Sequence, residues 1–70
     1  MNNASPQMIA AAYLRKLIQL HYKTQEQFAA DFGIEIRTLS RYLNNGINKI
    51  DVIQELALFF DVSFTDFFSE

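Results

Sequence analysis

Seventy residues suit one small domain, and a chain of this length buries only about 60% of the surface its unfolded form exposes. Half the residues are apolar, seven are Phe and none is Cys, which allows an aromatic-rich core and excludes disulfides and thiolate metal sites. The net charge is −2, but it is unevenly spread: Asp51, Glu55, Asp61, Asp66 and Glu70 fall in the last third, whereas Lys23, Arg37, Arg41 and Lys49 lie in or beside Thr24–Gly46.

Ser5-Pro6 opens the first predicted helix, Ser as cap and Pro at the first helical position. Ile9, Tyr13, Leu17 and Leu20 recur at helical spacing to about Tyr22, with Leu14 and Ile18 widening the stripe. His21 sits near the C-terminal end, where a cation suits the helix dipole, and no second His or Cys accompanies it as a ligand.

Thr24-Gln25-Glu26-Gln27 has the form of a capping box. A second helix follows through Phe28, Ala29 and Phe32 and stops at Gly33, which takes the left-handed conformation freely, with Ile34 as its apolar companion. The third helix begins near Glu35 or Ile36, buries Leu39, Tyr42 and Leu43, and frays at Asn44-Asn45-Gly46. A polar loop leads to a fourth helix, for which either Asp51 and Gln54 offer a second capping box or Ile50 already lies inside the helix; Ile50, Ile53, Leu56, Ala57 and Phe60 make an inward stripe. After Asp61-Val62, Ser63 caps a short fifth helix carrying Phe64, Phe67 and Phe68. No alternating run is long enough for a sheet, no apolar run approaches the roughly 18 residues of a membrane span, and no basic region precedes the N-terminal apolar patch as in a secretory signal. The expectation is an all-α, five-helix cytoplasmic domain over residues 7–68. Residues 1–6 form a flexible start, and 69–70 an end at which a longer chain would continue.

Catalysis has little to stand on. There is one His, no Gly-rich phosphate loop, and no HExxH or GxSxG; Asp31 with Glu35 and Asp61 with Asp66 read as helix-end or solvated carboxylates. No enzyme, cofactor, metal or small-molecule substrate is expected.

The middle segment is more specific. Gly33 lies at a turn, Ala29 stands four residues before it where helices crossing closely need a small side chain, and Phe28, Phe32, Ile34, Leu39 and Tyr42 hold the crossing. With the closing DVSFTDFF, which looks like a "GVSxxxLL" ending, residues 7–68 resemble the phage-repressor/Cro-like (XRE-type) helix-turn-helix family. The resemblance implies a lambda-repressor-like DNA-binding domain, with helices 2 and 3 as the helix-turn-helix, acting as a repressor-type regulator on double-stranded DNA. Ile36, Arg37, Ser40 and Arg41 match base-reading positions. Gln25, Thr38 and the Asn44–Lys49 loop, chiefly Asn44, Asn45 and Lys49, match backbone-contacting ones, and Lys23 joins them on charge. Arg37 and Arg41, four apart, share one helix face, and Arg can bridge guanine O6 and N7. A solvated cationic face is the alternative for both, as is plain solvation for Lys23 and Lys49; Asn44 and Asn45 also fit simple helix-ending roles.

Three departures stand out. Glu35 replaces the family's usual Ser or Thr, and either pairs with Arg37 or Lys49 or selects against an acceptor-rich base edge. Ile18 and Leu43 occupy the positions of a common Arg–Glu ion pair, an exchange that is often neutral or stabilising. Leu58 and Phe59 stand beside the inward stripe, and with Phe68 they read either as core or as a two-fold contact in a homodimer. The rival from another class is a protein-interaction module of the same fold, antitoxin-like or a phage control protein, with little DNA affinity.

Overall fold

The computed structural model describes residues 5–69; the expectations for residues 1–4 and 70 lie outside them. Four α-helices, α1 (Pro6–His21), α2 (Gln25–Phe32), α3 (Ile36–Asn45) and α4 (Ile50–Phe60), are followed by a 3-10 helix, Phe64–Phe68. The expected fifth α-helix is thus corrected. Its five residues are too few to build an i→i+4 ladder, and Asp66 N–H instead donates to the Ser63 carbonyl at 3.0 Å, three residues back.

The start of α1 follows its local signals. Ser5 Oγ accepts from Met8 N at 3.2 Å and Pro6 takes the first position. Its buried arc, however, is Ala10, Ala11, Leu14, Leu17 and Ile18. Ile9 and Tyr13 fall on the flank, and Leu20, expected inside, is 70% exposed. The helix packs against both α3 and the closing 3-10 helix, and two alanines let neighbours approach where longer side chains would hold them off. Tyr13 is partly recovered by an edge-on contact with Phe67, ring centroids 4.8 Å apart.

Thr24 caps α2 as expected, its Oγ1 accepting from Gln27 N at 3.1 Å. The return arm of the box is displaced: Gln27 Oε1 accepts from Lys23 N, one residue before the cap. Gly33 ends the helix at φ 91°, ψ 32°, and its N–H and that of Ile34 both reach the Ala29 carbonyl. In α3 the buried positions are Leu39 and Leu43, while Tyr42 is only half-buried.

The capping box expected at Asp51–Gln54 does not form. Lys49 is the cap residue of α4 and Ile50 is already helical, which puts Asp51 in the first turn, a position favourable to a carboxylate by the helix dipole. Ile53, Leu56 and Ala57 are buried and Phe60 is half-buried, but Ile50 turns outward and is 62% exposed. Asp61 ends the helix in the left-handed region at φ 58°, which Asp tolerates better than most side chains.

Among the described residues nothing polar or charged is buried. Ile18 and Leu43 both belong to the apolar core, an arrangement with no desolvation penalty for paired charges. The aromatic side of that core centres on Phe28. Its ring stacks on Phe32 and Phe60 and meets Tyr22 and Phe59 edge-on, with all four centroids within 5.8 Å.

Candidate nucleic-acid interface

With Leu39 and Leu43 turned into the core, helical periodicity directs Arg37 and Arg41 to the opposite side of α3, and both are exposed. One shallow hollow on this side is bordered by Glu35, Arg37, Thr38, Ser40, Arg41, Asn44 and Asn45. Its neighbour shares Arg41 and Asn45 and adds Tyr42, Gly46, Asn48 and Lys49. Arg37, Arg41 and Lys49 therefore lie along one continuous surface. Within it Asn44 Nδ2 donates to Ser40 Oγ at 3.2 Å, tying a residue read as a helix end to one read as a base reader.

The other expected residues stand apart. Ile36 is 42% exposed at the start of α3 but borders neither hollow. Gln25 is half-buried at the first position of α2, and Lys23 is exposed just before the Thr24 cap; these two also border neither hollow. Thr38 is half-buried at the edge of the first.

The loop after α3 is held from behind. Ile47 is buried and its N–H donates to the Gln7 carbonyl at 3.1 Å, fastening the loop to the first turn of α1. Gly46, at φ 98° and ψ 162°, passes so close to Gln7 that a Cβ there would lie 2.9 Å from the Gln7 Cβ. Sequence reasoning treated this loop as polar and passed over Ile47. A lone apolar residue directly after a glycine, inside a polar run, was the available signal. Asn48 belongs to the Asn44–Lys49 loop expected along the DNA backbone, whereas Tyr42, expected in the core, is half-buried and borders this surface.

Leu58, Phe59 and Phe68 do not border a common hollow. Leu58 is 82% exposed; Phe59, 40% exposed, borders a hollow with His21, Tyr22, Asp31 and Phe60; half-buried Phe68 borders another with Pro6, Gln7, Ile47, Ile50 and Ile53. In the first of these, Tyr22 Oη donates to Asp31 Oδ2 at 2.8 Å. That hydrogen bond, then desolvation and the carboxylate charge, raise the Tyr22 phenol above its ordinary pKa. Asp66, one of the carboxylates considered for catalysis, accepts from Ser63 N. Among the described residues no group of three or more His, Cys, Asp or Glu side chains is placed to hold a metal ion, and no helix is long and apolar enough to cross a membrane.

Two helices joined at a left-handed Gly33, with Ala29 buried at their crossing and a cationic outer helix, are the anatomy of a helix-turn-helix. A family model described as helix-turn-helix matches residues 14–67, most of the chain. The chain belongs to the XRE-type helix-turn-helix family. This is a DNA-binding family, so the XRE-type domain is that of a DNA-binding regulator, and the matched residues run from the middle of α1 to the closing 3-10 helix. In the same comparisons no curated protein and no solved structure matched the chain.

Proposed function

We propose that the protein is a sequence-specific transcriptional regulator of repressor type that lays α3 in the major groove of double-stranded DNA. The observation that carries this reading is the outward face of α3, where Arg37 and Arg41 border one hollow with Ser40 and Asn44 opposite the buried Leu39 and Leu43. Each arginine can bridge guanine O6 and N7, worth about 1–3 kcal/mol of discrimination. Ser40, and Ile36 at the leading end, complete the base-reading set. Thr38, Asn44, Asn45 and Lys49 follow the phosphates on one side, with Lys23 and Gln25 at the start of α2 on the other; each neutralised phosphate steepens the salt dependence by about 0.9 in slope. The net charge of −2 is no obstacle, because three of the six cations share this surface.

A homodimer joined through Leu58, Phe59 and Phe68 would set two α3 helices about 34 Å apart, one turn of DNA, and call for a palindromic operator. Binding there would exclude other proteins from the same stretch of DNA. A selected-sequence binding assay tests the reading, with a motif expected and its absence fatal to the claim. Within that motif Arg41→Ala should relax preference at one base pair, whereas Lys49→Ala should weaken all sequences alike.

A second reading, a protein-interaction module such as an antitoxin or phage control protein, draws on Leu58, which is 82% exposed on α4, a helix that carries Asp51 and Glu55 and no basic residue. Titration of bulk duplex at low salt separates the two, since a module of that kind would leave the duplex unbound.

A further inference from the structure

We propose that Glu35 is a specificity-determining residue of this interface, its carboxylate accepting a hydrogen bond from the exocyclic N4 amine of a cytosine. The inference rests on the DNA-binding reading above and adds a base contact to it. Ser5 and Thr24 cap α1 and α2 with side-chain oxygens, whereas Glu35, in the same position before α3, makes no side-chain cap hydrogen bond. It is exposed, and it borders the same hollow as Arg37, Ser40 and Arg41. The one cap residue of the helix-turn-helix pair that leaves its own helix unsatisfied is therefore the one placed at the tip of the reading helix.

An ionised carboxylate accepts hydrogen bonds and donates none. In the major groove it is repelled by guanine O6 and N7 and by thymine O4. Adenine offers its N6 amine beside the N7 acceptor, so attraction and repulsion meet on one edge. Cytosine alone presents an amine without an adjacent acceptor of its own. The neighbouring arginines seek guanine, so the surface would read mixed donor and acceptor edges instead of one kind. The same negative charge lowers binding to every duplex that lacks the matching amine, and discrimination then arises partly from rejection.

The test compares wild type, Glu35→Ser and Glu35→Gln in the selected-sequence assay and in titration of bulk duplex. The wild-type motif should hold a cytosine preferred about fivefold or more at one position. Glu35→Ser, which restores a capping hydroxyl, should flatten that position below about twofold and tighten bulk-duplex binding. Glu35→Gln should move the preference to adenine, whose N6 and N7 a carboxamide can bridge. A cytosine preference that survives in Glu35→Ser overturns the inference, as does a variant that strengthens all sequences equally without altering the motif. Both outcomes leave the regulator reading intact. A wild-type protein with no motif at all defeats that reading, and this one with it.

Discussion

The dipeptide Gly-Ile occurs on both sides of α3, and the two copies do different work. At the entry, Gly33 ends α2 with both Gly33 and Ile34 hydrogen-bonded to the Ala29 carbonyl, and apart from its immediate chain neighbours nothing lies within 4 Å of where a Gly33 Cβ would stand. At the exit, Gly46 is pressed against Gln7, while Ile47 is buried and bonded to the Gln7 carbonyl. The entry turn is closed by its own helix. The exit turn is closed by α1, some forty residues earlier in the chain, and it sets where Asn48 and Lys49 sit beside Arg41. Ile34 also packs against the core, but of two turns with the same dipeptide only the second is tied by a backbone hydrogen bond to a distant helix.

Substituting the two glycines puts that contrast under test. Gly46→Ala should have the largest effect. Its φ and ψ lie in a region almost reserved for glycine, and the added Cβ would also strike the Gln7 side chain and backbone. Strain and overpacking together should cost about 3–5 kcal/mol. A 70-residue domain at roughly 0.05–0.15 kcal/mol per residue would be left close to unfolding. Ile47→Ala follows at about 2–5 kcal/mol, the range for emptying a buried aliphatic site. Gly33→Ala, with open space for its methyl group, should lose only about 1–2 kcal/mol from the left-handed backbone, and Gly33→Asn less. Urea denaturation with a shared m-value measures all four. Equal losses for Gly33→Ala and Gly46→Ala would erase the distinction between a local and a tertiary turn.

The same distinction governs what could be read from the residues alone. Ser5-Pro6, Thr24 with Gln27, and Gly33 are local signals, and each produced its expected boundary. The exposed α3 face was legible because Leu39 fixed the helix phase and the arginines followed from it. What depended on a neighbour was less legible. Ala10 and Ala11 are core because α3 and the 3-10 helix close over α1, and nothing in their own hydrophobicity outranks Ile9 or Leu20. For the start of α4 two adjacent registers satisfy the same pattern, Asp51 as cap or Ile50 already helical, and the second is the one adopted. Ile47 was hidden for the same reason as its turn, its partner being Gln7.

The smallest effect concerns the one side-chain bond that links the end of α1 to α2 near the entry turn, Tyr22 Oη to Asp31 Oδ2. It lies at the surface, unlike the buried link at the exit, and it depends on the phenol keeping its proton. Ionised, Tyr22 would lose its donor and face a carboxylate of like charge, so its folded pKa stands above the unfolded value of about 10. Between those two values the native state holds a proton that the unfolded chain has released, and stability falls as pH rises. The bond's contribution should therefore be complete below about pH 10 and disappear as pH passes through the folded pKa. Tyr22→Phe removes both the bond and the titration. The stability difference between wild type and this variant should stay level from neutral pH to about pH 9 and shrink above about pH 10, other alkaline titrations cancelling between the two. A difference that stays constant through that range would mean that the hydroxyl contributes nothing through Asp31.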